Sequence, residues 1–268
     1  MGDGQPGRWC GTLWQVREHD IRAADGTRIR VWRSGETGRD VLLCPGLGTR
    51  PAQWPELNRP GTGRWLRVHG WYPRPRPADQ VADALAVLDD AGIDRVVVIG
   101  CSAGVPVAAE LAGRCPDRVS GLLLVAGAPV DPFGGLLGVL GVPPAVRRIL
   151  AAAVPRRLAR WADAPAPNLA KVCCPVTALA GRYDLVTDPR HLVRTVGPLP
   201  QARVRVLPTG HFLPLAAPDE LAAELRLLIE RADAVLAAAR WFGRAVPAPR
   251  SAPDASEQAA PLNRSIAH

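Results

Sequence analysis

A serine, a carboxylate and an imidazole each stand in this chain just after a glycine-bearing turn: Gly100-Cys101-Ser102-Ala103-Gly104, Gly181-Arg182-Tyr183-Asp184 and Gly210-His211. A serine hydroxyl becomes a useful nucleophile only when it is exposed and beside a base. Gly-x-Ser-x-Gly between a strand and a helix provides the exposure, because a very tight turn pushes Ser102 out over the sheet. Such a turn is strained at the serine and crowded two residues to either side, so Gly100 and Gly104 must be small. The helix that follows points free N–H groups and its positive dipole end at the same place. The pentapeptide alone also fits a nucleotide-binding fold, where a glycine turn after a buried strand cradles phosphate.

The elements around these residues separate the two readings. Val96-Val97-Val98-Ile99 is a run of branched apolar residues that reads as a buried strand leading into Ser102. Asp184 follows a strand expected at 175–181, and His211 follows one at 202–207. All three polar residues therefore lie just past the C-terminal ends of strands, the edge at which functional groups gather in an open α/β sheet. Their order, Ser, Asp, His, is the one that accompanies a Gly-x-Ser-x-Gly nucleophile. Asp188 is a competing carboxylate, but its place before Pro189 is fully explained as a helix cap. His19, His69 and His191 have no comparable setting and read as structural or exposed. A dinucleotide site would need a third glycine after Gly46-x-Gly48, where Pro51 stands, and an acidic residue ending the next strand, which is absent.

Taken in order, the chain opens with a Gly-rich stretch and then a hairpin, Leu13–Ala23 against Arg28–Arg33, around Asp25-Gly26. A strand over 40–44 runs into Pro45-Gly46-Leu47-Gly48. A short helix is expected at Gln53–Leu57 and a strand at Trp65–Trp71, after which Pro73, Pro75 and Pro77 break regular structure. Helices are expected from Asp79 to Gly92, over 105–115, 189–196 and 219–242, with a further strand at 118–126. Strands alternating with helices give an α/β protein with a mostly parallel sheet, helices on both faces and an N-terminal antiparallel hairpin. The rhythm fails over 129–168, an expected lid after the sixth strand in a domain spanning 13–246. Its apolar start offers Phe133, Leu136 and Leu137 as pocket lining, favouring an acyl or ring-bearing small molecule over a sugar or nucleotide. Residues 247–268, rich in Ala, Pro and Ser, read as a disordered tail.

Composition narrows the partners. The chain has 268 residues, 47% of them hydrophobic, and a formal net charge of +8 that is nearly all arginine, Lys171 being the one lysine. The arginines are scattered without interleaved aromatics, which argues against nucleic acid. Six cysteines show no C-x-x-C pair and no histidine at finger spacing, so they read as mostly buried free thiols in a reducing, cytoplasmic compartment, with no metal and no cofactor expected. No apolar stretch is long enough to span a bilayer, and the N-terminus lacks the pattern of a signal peptide. Oligomeric state is not legible.

From about residue 25 to 242 the sequence resembles the α/β-hydrolase fold family, on the strength of the Gly-Cys-Ser-Ala-Gly turn, Gly-Arg-Tyr-Asp, and Gly-His followed by Pro218-Asp219-Glu220. Pro45-Gly46-Leu47-Gly48 resembles the family's oxyanion loop. The resemblance implies a Ser102–His211–Asp184 triad, oxyanion donors at the N–H groups of Leu47 and Ala103, and a lid between strands six and seven. It implies a serine hydrolase acting on an ester, thioester or lactone. The same triad would also serve acyl transfer or carbon–carbon bond cleavage, and a catalytically silent scaffold that binds a ligand is a third reading. The sequence departs from the family at Pro45, where a histidine often stands, at Val68-His69-Gly70-Trp71-Tyr72-Pro73, and at Pro106, which disfavours helical geometry at Val105.

Overall fold

A computed structural model of the chain describes residues 16–46, 54, 65–74, 77–127, 169–199 and 201–242. The expected lid at 129–168, the tail at 247–268 and, apart from Trp54, the short helix at 53–57 lie outside the described residues. Eight strands form one sheet: β1 (Arg17–Arg22), β2 (Arg28–Ser34), β3 (Arg39–Cys44), β4 (Leu66–Trp71), β5 (Val96–Cys101), β6 (Val119–Val125), β7 (Val176–Gly181) and β8 (Ala202–Leu207). Their order across the sheet is β1-β2-β4-β3-β5-β6-β7-β8. β1 pairs antiparallel with β2, and β2 antiparallel with β4; every pairing from β4 to β8 is parallel.

Both faces of the central strands are buried, which is why they read as unbroken apolar runs. Successive side chains on a strand point to opposite faces. Leu42 and Cys44, Val96 and Val98, and Leu122 and Leu124 join one core layer. Val41 and Leu43, Val97 and Ile99, and Leu123 and Val125 join the other. Burying each such branched side chain stabilises the fold by about 1.5–3 kcal/mol. On the first face lie α1 (Pro77–Asp90), α2 (Gly104–Arg114) and α3 (Pro189–Val196), through Val81, Leu88, Leu111 and Leu192. On the second lies α5 (Pro218–Trp241), through Leu221, Leu225 and Leu228, with the one-turn α4 (Leu213–Ala216) before it.

Local chemistry sets the ends of these elements. Gly92 takes a left-handed conformation, φ 66°, and the Ile93 N–H returns to the Leu88 carbonyl at 2.8 Å, closing α1. Asp188 caps α3 by accepting from the Arg190 N–H at 2.9 Å, with Pro189 in the first turn, as its sequence setting predicts. The 68–73 departure also has a physical reason. Residues 68–71 are the end of β4, and Gly70 is bare because the Trp32 indole occupies the space a Cβ would need. Two short elements were not legible: α4 and a 3-10 turn at Leu169–Lys171.

Among the described residues, the outermost strands of the sheet are charged. On β1 and β2, Arg30 meets Glu18 and Asp20, and Arg28 meets Asp20. On β8, Arg203 and Arg205 both reach Glu224 of α5, at 2.9 and 2.7 Å. The cysteine expectation needs correction. The five described cysteines are free, but only Cys44 and Cys101 are buried; Cys115 and Cys174 are half-buried against the core, and Cys173 is exposed on the connection into β7. Among the described residues, no helix is long and apolar enough to cross a membrane.

Glu224 gives the fold a testable pH dependence. Burial alone would push its carboxyl up, but hydrogen bonds from Arg203 and Arg205 outweigh it and hold the group below its ordinary value. A depressed carboxylate adds stability above the unfolded-state value and loses it as pH falls through the folded one. Glu224→Gln is therefore expected to destabilise the protein by about 1 kcal/mol at neutral pH. The gap between the two melting temperatures should close as pH is lowered below about 4.5. Thermal melts of both proteins from neutral to acid pH check this.

Candidate active site

Three strands deliver the three predicted residues to one place. Ser102 directly follows β5, with φ 50°, a left-handed backbone unusual for a residue that carries a side chain. Its N–H is anchored to the Val125 carbonyl of β6 at 2.9 Å, and its own carbonyl accepts from Val105 at 3.0 Å. α2 then runs without interruption from Gly104 to Arg114. Pro106 falls in its first turn, where a missing N–H leaves no intrahelical bond unmade, so this departure does not distort the turn.

The glycines around Ser102 are required by close backbone approach. A Cβ at Gly104 would collide with the carbonyl of Cys44, and would come within 2.8 Å of that of Pro45. One at Gly100 would stand 2.7 Å from the Ala108 Cβ. The end of β3, entering the segment expected to supply an oxyanion donor, is thus packed against the start of α2. Two further supports escaped sequence reasoning. Ala126, the residue after β6, is also left-handed at φ 47°, and a Cβ at Gly127 would lie 2.5 Å from the Ser102 carbonyl oxygen. Both stand at a strand's C-terminal edge, which was their only signal.

Ser102 Oγ lies 2.9 Å from His211 Nε2, and His211 Nδ1 lies 2.9 Å from Asp184 Oδ2. The Asp184 side chain is 1% exposed and that of His211 15%. With Nδ1–H donating to the carboxylate, Nε2 is left as the acceptor for the serine proton. The β7 and β8 turns that carry the acid and the imidazole are locked together. Tyr183 N–H donates to the Thr209 carbonyl at 2.9 Å, and Gly181 has no room for a side chain against the Gly210 carbonyl.

Asp184 also accepts from the N–H groups of Val186 and Thr187, at 2.8 and 2.9 Å, and from the Thr187 hydroxyl at 2.6 Å. Burial would raise its carboxyl; the hydrogen bonds from His211 and Thr187 more than offset this and hold it below the usual carboxylate range. It is therefore ionised at neutral pH. Cys101, beneath the turn, is no rival nucleophile: burial, with the charge of Asp184 adding to it, pushes its thiol up to about 12.

Exposed apolar side chains are the sequence neighbours of these residues: Tyr183, Leu185 and Val186 on the loop of Asp184, Phe212 and Leu215 after His211. Phe212 packs edge-on to the His211 ring, with centroids 5.8 Å apart. The other histidines take the expected structural roles. His69 is buried against Asp40 at 2.9 Å, and His19 meets Asp90 at 2.8 Å on the surface. Of the predicted oxyanion donors, Ala103 lies at the head of α2 and Leu47 lies outside the described residues, as do Phe133, Leu136 and Leu137. Among the described residues, no cluster of three His, Cys, Asp or Glu is placed to hold a metal.

No protein-family model matches the sequence, and no curated protein does. Solved structures do match. A hydrolase from Pseudomonas aeruginosa PA01 aligns with a TM-score of 0.63 at 22% identity, covering 79% of this chain and 98% of its own. A thermophilic esterase from Thermogutta terrifontis aligns at 0.59 and 18% identity, covering 81% and 99%. An enol-lactonase from Burkholderia xenovorans LB400 aligns at 0.59 and 19%, covering 79% and 100%. The chain has the α/β-hydrolase fold. An α/β-hydrolase sheet with an antiparallel start is what the sequence pattern led us to expect.

Gly104→Ala separates two opposed expectations. In the interior of an α-helix alanine is favoured over glycine by about 1 kcal/mol. Here the added methyl must displace the Cys44 and Pro45 carbonyls, so the substitution is expected to destabilise by on the order of 2 kcal/mol. Denaturant unfolding of both proteins gives the sign.

Proposed function

We propose that this α/β-hydrolase cleaves an ester, thioester or lactone of an apolar acid through an acyl-enzyme on Ser102. The observation that carries the reading is the unbroken chain Ser102–His211–Asp184, with the serine on a left-handed turn and the acid buried. Attack by Ser102 Oγ on the carbonyl carbon sends its proton to His211 Nε2. Asp184 keeps the Nδ1–H tautomer and stabilises the imidazolium without taking its proton. The Ala103 N–H, at the head of α2, and the Leu47 N–H are the assigned oxyanion donors, each contributing about 3 kcal/mol in comparable enzymes.

Collapse of the tetrahedral intermediate breaks the bond to the leaving oxygen or sulfur, which takes the proton from His211. Water then attacks the acyl-enzyme with His211 again as base, releasing the acid and restoring the serine hydroxyl. Every proton transfer thus has its donor and acceptor on this chain or in water. The exposed apolar residues Tyr183, Leu185, Val186, Phe212 and Leu215, sequence neighbours of Asp184 and His211, support an apolar acyl group over a sugar or nucleotide. Structural neighbours named as an esterase and an enol-lactonase support the same bond types.

A fluorophosphonate probe and a series of p-nitrophenyl acyl esters test the reading. The probe is expected to label Ser102, and Ser102→Ala to take up no label and cleave no ester while remaining folded. Asp184→Asn is expected to lower kcat by about 10⁴, whereas Asp188→Ala should lower kcat far less and cost about 1 kcal/mol of stability by removing the α3 cap. Turnover retained by Ser102→Ala, or a larger kcat loss in Asp188→Ala than in Asp184→Asn, would overturn the assignment.

A further inference from the structure

Asp184 is held by more donors than its bond to His211 requires. Oδ1 accepts from the N–H groups of Val186 and Thr187; Oδ2 accepts from His211 Nδ1 at 2.9 Å and from the Thr187 hydroxyl at 2.6 Å. A carboxylate offers about four lone-pair sites, so its acceptor capacity is filled. The two backbone bonds are local to the turn and survive any side-chain substitution. The hydroxyl is different: it is a side-chain group placed on the same oxygen that faces the imidazole. Its distance lies in the range of about 2.5–2.7 Å found for hydroxyls donating to carboxylates.

Thr187 is fixed in place. It is 6% exposed, and the next residue, Asp188, is tied to α3 by its cap. Thr187 therefore spans the carboxylate, with its N–H on Oδ1 and its O–H on Oδ2.

We propose that Thr187 is a positioning residue for the reaction: its hydroxyl fixes the plane of the Asp184 carboxylate toward His211 and shares the charge of Oδ2. The inference rests on the triad reading. During attack on a carbonyl, the proton of Ser102 moves to Nε2 while the Nδ1 proton stays on the ring. The charge stays on Asp184, whose Oδ2 is already engaged by the Thr187 proton. Without the hydroxyl, Oδ2 would carry more charge and the carboxylate would be held from one side only. The imidazole would then be held less firmly in the orientation that receives the serine proton.

The test uses the full chain and a fluorophosphonate probe, whose reaction depends on the same serine and base. Labelling is followed against probe concentration in wild type, Thr187→Val and Thr187→Ser. The valine variant keeps the shape and loses the hydroxyl; the serine variant keeps the hydroxyl. Thr187→Val is expected to lower the maximal labelling rate about tenfold, with half-saturation unchanged. Thr187→Ser should match wild type in both. A merely structural threonine would lower the melting temperature and leave the maximal rate of the folded protein where it was. Should the valine variant not fold, Thr187→Ala is read by the same signatures.

A valine or alanine variant with the wild-type maximal rate overturns the inference, as does a serine variant impaired as badly as the valine one. If the wild type itself takes up no label, the triad reading fails and this inference with it. If the wild type labels at Ser102 and the valine variant equals it, only this inference fails.

Discussion

Close approach of the backbones of β3, β5 and β6 around Ser102 is the constraint on which the arrangement of Ser102, His211 and Asp184 depends. Gly104 lies on the carbonyls of Cys44 and Pro45, Gly127 on that of Ser102, and Gly100 on the first turns of α2. A left-handed residue with a side chain costs on the order of 1–3 kcal/mol and persists only where its surroundings over-determine it. Here the N–H of Ser102 is bound to β6, its carbonyl is capped by Val105, and the glycines leave no space into which the turn could relax. The buried strands on either side supply the rigidity that keeps the hydroxyl aimed.

The sheet order makes a second demand. β5 and β8 are separated by β6 and β7, so their axes stand about 14 Å apart. The imidazole must cross that span to reach the serine. The turns after β7 and β8, which carry Asp184 and His211, are a locked pair, Tyr183 on Thr209 and Gly181 on Gly210. The left-handed Ala126 turns the chain immediately after β6. Its conformation and that of Ser102 thus belong to one arrangement: one residue turns the chain after β5 and the other after the neighbouring strand.

The sequence made legible what depends on apolar runs and punctuation. Val96–Ile99 and the glycine turns were enough to place strands and helices, and the chain order singled out Ser102, Asp184 and His211, which the fold brings together. The helix cap at Asp188 was legible because capping is a local property of the residues next to it. What escaped depends on contacts distant in sequence or on backbone shape. The insertion of β4 between β2 and β3 leaves no trace in periodicity. Gly127 and Ala126 look like ordinary loop residues until their approach to Ser102 is seen. Thr187 reads as a turn residue, since nothing in its spacing reveals that its hydroxyl shares an oxygen with His211. The exposure of Cys173 was misjudged because a short apolar stretch, Val172 to Val176, spans both a surface connection and the first residue of a buried strand.

The charged borders of the sheet bear on how molecules of this protein meet one another. An open sheet leaves unpaired N–H and C=O groups along its outermost strands, and these are templates on which a second chain can add a strand. β1 carries Arg17, Glu18, Asp20 and Arg22 in six residues, and β8 carries Arg203 and Arg205 held by Glu224. A strand arriving at either border would have to desolvate guanidinium and carboxylate groups already satisfied by each other. The borders therefore act as stops to fibril-like growth, and the arginines that raise the net charge help keep the folded molecules apart when they are crowded.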